Sequence, residues 1–250
     1  MTLHPSFRHI TIALVCTGLC QLAAAHGTGH GDHSDHSGGI QSAAATKVKA
    51  PFDIVHTRIT TEGNIATFHI AVSGKAGASK PGKTGKLAGS KVFSYVWPTT
   101  MDPSVVGFEA KSGILAFAVT SHPDFNDTPL FAGSGGDWHS HWVVLQPDDA
   151  CGKGALKVVD IPEGAKPKLP KTWPGLPLLI DSPGWNPVFK GNTLEVKVPF
   201  DDIGVVKNAA FDGVAAGLRV NASVHSPLLC VADVFKVASG NLSLPGKVDQ

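Results

Sequence analysis

The feature that most constrains the fold of this chain is how often turn-forming residues interrupt its apolar runs. Its 250 residues include 28 Gly and 18 Pro, which separate apolar runs of strand length. No segment shows a sustained helical period; residues 205–216 come nearest, and glycine interrupts them. The pattern therefore predicts an all-β chain with long Pro- and Gly-rich loops. The expected strands are 52–60, 64–73, 91–97, 113–120, 138–145, 155–161, 193–199, 217–225 and 231–237.

Strands of this number and length predict an antiparallel β-sandwich, immunoglobulin-like or related, over residues 51–250. The Pro-rich segment 161–187 is too broken for strands beyond 178–180, and we expect it to cover one edge or end of the sandwich. The segment 74–86 is rich in lysine and glycine but lacks the spacing of a phosphate-binding loop. It is expected to be a solvated surface loop.

The first 25 residues have the organisation of a secretory signal peptide. Arg8 precedes the apolar stretch 11–22, and the alanines at 23–25 supply the small residues of a cleavage site. The apolar stretch is too short for a membrane-spanning helix, so we expect no integral membrane segment after cleavage. Lipidation at Cys20 is the alternative. The expected location is the periplasm or the extracellular medium.

After that cleavage site, residues 26–50 form a His-rich tail and linker. Four His and two Asp are spaced by Gly and Ser up to residue 39, with no apolar residue to support a core. Imidazole and carboxylate groups on a flexible chain bind copper or zinc with low specificity. In composition the tail resembles those of exported bacterial metal-handling proteins, which implies metal capture; a solubilising linker is the alternative. The candidate ligands are His26, His30, His33 and His36.

Two cysteines remain after the signal peptide, Cys151 and Cys230. An even pair in an oxidising compartment predicts a structural disulfide, with a thiolate metal site as the alternative. The bond would tie the segment after the centre of the chain to its last strands.

The strongest chemical signal is a pair of histidines, His139 and His141, in a segment with strand character. Side chains alternate faces along a strand, so the two imidazoles point to one side together with Asp137. Trp138 and Trp142 point to the other side, where we expect them to be core. Two imidazoles at this spacing can converge on one cation. The alternative is a solvated pair on the outer face.

Other histidines are candidates to complete such a site. His122 follows a predicted strand and is joined to the pair by the loop 125–136, and His225 ends another strand on its polar face. If these faces meet, His122, His225 and the central pair form a tetrahedral set. His56 or His69 would be substitutes. Asp137 is a candidate ligand, a carboxylate that orients a ring, or a turn residue after Gly135–Gly136.

The overall charge excludes one class of partner. The formal net charge is +1 with His neutral, too small for broad attraction to nucleic acid. The sequence therefore predicts an exported metal-binding protein that captures, buffers or delivers copper or zinc. Two alternatives stay open: an exported metalloenzyme with an open His-ligated site, and a β-sandwich that binds a non-metal ligand. The sequence favours a non-catalytic role and identifies no protein partner.

Overall fold

The computed structural model describes residues 39–128, 137–221 and 227–249. The described residues form fourteen strands, one short α-helix, α1 (Ile203–Lys207), and three 3₁₀ helices (Ala50–Phe52, Pro103–Val106 and Asp149–Cys151). None of these helices has the length and apolar character needed to cross a membrane. The strands are β1 (Ile40–Gln41), β2 (Ile54–Glu62), β3 (Ile65–Val72), β4 (Lys91–Pro98), β5 (Ile114–Ser121), β6 (His139–Pro147), β7 (Leu156–Val158), β8 (Ile180–Asp181), β9 (Val188–Lys190), β10 (Thr193–Pro199), β11 (Ala210–Phe211), β12 (Val214–Val220), β13 (Leu229–Val237) and β14 (Gly246–Lys247).

Two large antiparallel sheets organise these strands. The first has five strands in the order β1-β2-β3-β10-β9. The second runs β5-β4-β12-β13-β7-β6, and β6 pairs again with β5, so these six strands close into a barrel. The predicted all-β, antiparallel architecture is confirmed. A sandwich of two open sheets is not confirmed, because one of the two sheets closes on itself.

The outer wall of the barrel packs against the five-stranded sheet through large aromatic side chains. Phe68 of β3 meets Trp97 of β4 at a centroid distance of 5.6 Å and Phe117 of β5 at 4.6 Å. Its ring also meets Trp142 of β6 at 5.8 Å. All four side chains are almost fully buried. This interface is the larger hydrophobic core of the protein.

The inner wall of the barrel carries the alternate residues of the same strands. Small and branched side chains such as Val96, Ala118, Val143 and Ala216 form a second hydrophobic cluster there. Side chains from all six barrel strands line one cavity. Strands β4, β5 and β6 thus separate two apolar environments, the outer core and the cavity lining.

Strand β8 lies beside β6 and comes from the Pro-rich segment. Asp181 pairs with Trp142, and Ile180 pairs with Val143. The segment therefore pairs with β6 at two positions. It also brings Asp181 and Ser182 next to the central histidines.

Barrel closure is weakest at β7. This three-residue strand pairs with β13 at a single position, Cys230 opposite Lys157. The Sγ atoms of Cys230 and Cys151 lie at disulfide distance, as predicted. Cys151 ends the 3₁₀ helix that precedes β7. The cysteine pair therefore reinforces the shortest seam of the barrel.

Two boundaries differ from those expected. Ile40 is buried and pairs with Thr57, so the packed domain begins before residue 51. Strand β12 begins at Val214, inside the segment with the nearest helical period, because pairing to β4 and β13 outweighs local preference. The predicted signal peptide and most of the His-rich tail lie outside the described residues.

Candidate metal centre

Four side chains converge at one end of the barrel cavity: His122, Asp127, His139 and His141. One ligand atom from each lies within 4.8 Å of the corresponding atom of every other. His122, Asp127 and His141 are buried, and His139 retains a 14% exposed side chain. The cluster therefore lies between the cavity and the protein surface.

The backbone explains why these residues meet. His139 and His141 occupy alternate positions at the start of β6, so both rings point to the inner side of the barrel. Their ring centroids are 4.8 Å apart. His122 follows the last residue of β5, the strand paired with β6. The chain then turns back, and Asp127 enters the space between the three rings.

The Asp127 carboxylate lies at the centre of the cluster. Its Oδ2 is 3.1 Å from Nε2 of His122 and 3.4 Å from Nε2 of His141. Its Oδ1 is 3.1 Å from Nε2 of His139. The Nε2 atoms of His122 and His139 are 3.0 Å apart. Donors on a tetrahedral metal at 2.0–2.1 Å would lie about 3.3 Å from each other, close to these separations.

Each of the three rings is oriented by a main-chain carbonyl on its other nitrogen. Nδ1 of His139 donates to the carbonyl oxygen of Asp137 at 2.8 Å. Nδ1 of His122 donates to that of Phe125 at 3.1 Å, and Nδ1 of His141 to that of Asp181 at 3.2 Å. A carbonyl oxygen only accepts, so Nδ1 carries the proton in each ring. The Nε2 atoms therefore all face the carboxylate, and each one offers a lone pair when its ring is neutral or donates an N–H when its ring is protonated.

Burial and charge set the protonation of the cluster. Burial, opposed by the Asp127 carboxylate, lowers the pKa of His141 to about 4. Burial alone would raise the pKa of Asp127, but the surrounding imidazoles hold it well below its usual range. Near neutral pH this combination is a neutral imidazole beside an ionised carboxylate. Those are the protonation states in which both groups bind metals.

The Nε2 atom of His141 is the most informative atom of the site. It is fully buried and makes no hydrogen bond within the described part of the chain. Leaving a buried polar atom unsatisfied costs about 1–3 kcal/mol. A cation between His141 and Asp127 would remove that cost.

Further contacts hold the loop that carries His122 and Asp127. The Ser182 hydroxyl donates to the main-chain carbonyl of Asp127 at 2.5 Å. The His122 ring stacks on Phe125, with centroids 3.9 Å apart. Asp124 accepts hydrogen bonds from the main-chain N–H groups of Thr84 and Gly85 at 2.8 and 2.7 Å. The segment 74–86, expected to be only solvated surface, therefore holds the loop that carries His122 and Asp127.

The structure brings together three of the histidines expected from the sequence, His122, His139 and His141. Asp137 is elsewhere: its carboxylate is 75% exposed and pairs with Lys80 at 3.1 Å. Only its main-chain carbonyl contributes, by orienting His139. His225 and the tail residues His26, His30, His33 and His36 lie outside the described residues.

The other two histidines considered as substitutes form a separate pair. The rings of His56 and His69 are 5.6 Å apart on β2 and β3, and Nδ1 of His69 lies 2.9 Å from the Glu195 carboxylate. They are not part of the four-residue cluster. Asp127 was not anticipated. The available signal was an acidic residue five positions after His122, but no periodicity shows where a loop residue points.

The cluster opens on its inner side to the barrel cavity. His122, Asp127 and His141 line this cavity together with Phe125. Its volume is about 80 Å³, several times the 10–15 Å³ that a single water needs. The remaining lining is almost entirely aliphatic. A metal in the cluster would therefore have an apolar chamber on one side.

Comparison with known proteins gives no relative for this chain: no family model, no curated protein and no solved structure matches it.

Proposed function

We propose that this protein is an exported metal-binding protein that holds one copper or zinc ion between His122, Asp127, His139 and His141. Three imidazoles and one carboxylate suit either ion. The His-rich tail would capture the metal, and the folded cluster would retain it. Retention fits a site whose ligands are buried and held in place by main-chain contacts.

The observation that carries this proposal is the convergence of three imidazole Nε2 atoms on one buried carboxylate. Each ring is held there by a carbonyl on its Nδ1 atom. Without a cation, the Nε2 atoms can satisfy the carboxylate only by carrying protons, and burial disfavours a protonated ring at His141. A bound cation supplies the positive charge directly and takes up the Nε2 lone pairs.

Two further features support export. The cysteine pair at disulfide distance fits an oxidising compartment. The N-terminal sequence has the organisation of a signal peptide, and the candidate tail follows the alanines at 23–25.

The test is the metal content of the full chain, purified without an affinity tag, loaded with copper or zinc and dialysed against a weak chelator. We expect about one equivalent to be retained, because the four donors are already assembled. A variant with His26, His30, His33 and His36 all replaced by Ala should retain the same equivalent. Loss of that equivalent in the tail variant would assign retention to the tail and contradict the proposal.

Two matched substitutions locate the ion. Asp127→Asn removes the central charge and should weaken binding at least about tenfold. Asp137→Asn is the control, because its exposed carboxylate takes no part in the cluster, and it should bind as the unchanged chain does. His141→Ala should abolish retention. Equal affinity of both Asn variants would place the ion elsewhere.

A metalloenzyme is the second candidate, and one observation favours it. A site that only stores a metal ion needs no adjoining cavity, yet three of the four candidate ligands line the barrel cavity. A ligand or substrate in that cavity could reach an open coordination position of the metal.

A further inference from the structure

We propose that the barrel cavity binds a small monoanionic amphiphile, a short-chain carboxylate in its simplest form, with its head group on the metal and its tail in the barrel. The proposal rests on the proposed metal site and deepens it. Its basis is the lining of the cavity, the charge of the cluster and the position of the mouth.

The cavity has one polar end. His122, Asp127 and His141 form that end, while the body is lined by side chains such as Val92, Val143 and Ile180. Ser94 also contributes to the lining, but its hydroxyl donates to the carbonyl of Ala216 at 3.0 Å. Thr120 also lines the cavity, and its hydroxyl lies beside the cluster, 3.4 Å from Nε2 of His139. Within the described lining, the polar atoms open to a ligand are therefore concentrated at the cluster. A molecule with one polar head and an apolar tail matches this distribution.

The charge of the loaded cluster favours an anionic head. A divalent ion bound to neutral imidazoles and the Asp127 carboxylate leaves a net charge of +1 in a poorly solvated space. No second acidic group belongs to the cluster within the described ranges. The nearby Asp181 carboxylate accepts a hydrogen bond from the Thr172 hydroxyl at 2.6 Å instead. A monoanionic head would neutralise the site, and buried charge is favoured when it is paired.

The mouth of the cavity suits an apolar tail. Val234 and Leu242 line the cavity and are also 55% and 42% exposed, which indicates where it reaches solvent. Leu242 is held at a φ of +57°, a conformation that side chains rarely adopt. Hydrogen bonds within its turn, such as Ser243 N–H to Asn241 Oδ1 at 3.2 Å, keep it there. An exposed leucine maintained in a disfavoured conformation at an opening fits a role in admitting an apolar group.

The test uses the full chain carrying Co²⁺, whose visible absorption reports changes in coordination. Acetate and butyrate are titrated into it. The carboxylate groups of acetate and butyrate should both change the absorption spectrum. Butyrate should bind roughly fifteen-fold more tightly than acetate, because its two additional methylenes are transferred from water into the cavity. Equal affinities would overturn the inference and leave the metal site intact. A chain that takes up neither Co²⁺ nor, in the retention test above, copper or zinc would overturn both proposals, and its metal content identifies that outcome.

Two substitutions in the cavity lining distinguish binding of the apolar tail from binding of the carboxylate head. Ala216→Leu places a larger side chain in the lining on β12, a strand that supplies none of the four cluster residues, so butyrate should lose its advantage while acetate binds as before. Val143→Ala enlarges the cavity instead and should shift the preference towards hexanoate. It serves as the second variant if Ala216→Leu folds poorly. An unchanged chain-length preference in a folded variant of either kind would contradict the proposed location of the tail.

Discussion

The two faces of strand β6 show how one strand serves two different interiors. Trp142 and Val144 point outward into the interface with the five-stranded sheet, where they are almost fully buried among large aromatic rings. His141 and Val143 point inward, where they line a cavity. Alternate residues of the same strand therefore face a close-packed core on one side and a cavity on the other.

The difference indicates which interior stabilises the fold and which one carries the chemistry. Close packing supplies dispersion and hydrophobic free energy, and protein cores are normally as dense as organic crystals. A cavity forgoes some of that free energy. The protein thus places its tightest packing outside the barrel and keeps space beside the histidines inside it. Three changes test this comparison.

The largest expected effect is at the aromatic interface. Phe68→Ala should lower the free energy of unfolding by about 3–5 kcal/mol, because Phe68 is fully buried and contacts Trp97, Phe117 and Trp142. Urea unfolding of the metal-free chain, followed by tryptophan fluorescence, measures the change. Phe68→Leu, which retains most of the volume, is the control and should cost much less. A loss below about 1 kcal/mol in Phe68→Ala would show that this interface is not the dense one.

The next effect concerns closure of the barrel. Replacing both Cys151 and Cys230 by Ala should lower the free energy of unfolding by about 4 kcal/mol, since the bond spans 79 residues and restricts the unfolded chain. Urea unfolding of this variant and of the parent chain gives the difference. Equal stability would mean that the single residue pair between β7 and β13 keeps the barrel closed without the disulfide.

The smallest effect compares two adjacent valines of β6. Val144→Ala and Val143→Ala both remove about 1.6 kcal/mol of apolar transfer free energy. Only Val144→Ala opens a new void in a dense core, so it should cost about 2–3 kcal/mol, whereas Val143→Ala should stay near 1.5 kcal/mol. Parallel urea titrations provide the measurement. A larger loss in Val143→Ala would reverse the comparison.

Local sequence patterns were informative about the strands. The expected strand 193–199 coincides with β10, and the ends of β4 and β5 fall within a residue or so of those expected. Alternation along β6 also placed both histidines on one face and Trp142 in the core. Such features depend on a two-residue period that is visible in the chain itself.

Closure of the barrel depends on pairings that no local pattern contains. β4 pairs with β12 across more than a hundred residues of chain, and β6 pairs with both β5 and β7. A sandwich and a barrel use the same alternation, so the strands alone do not distinguish them. The small residues Ala116, Ala118 and Ala216 leave open space only because the folded barrel brings them together on one inner wall.

The candidate site divides in the same way. The His-x-His spacing follows from strand geometry, and His122 was within reach because the chain returns directly from it to β6. Asp127 occupies an irregular loop whose direction is set by Ser182 and Asp124. Ser182 lies 55 positions after Asp127 in the chain, and Asp124 lies three positions before it. Contacts of this kind arise only after the chain has folded.

The hydrogen bonds between Asp124 and the Thr84–Gly85 main chain bear on how fast the proposed site would exchange an ion. Asp124 lies between His122 and Asp127 in the chain, so movement of this loop away from a bound ion would have to break those hydrogen bonds. The exchange rate would then be set by loop opening, which is slower than breaking individual coordination bonds in solution. Residence time, rather than equilibrium affinity, would then distinguish the proposed centre from a His-rich tail.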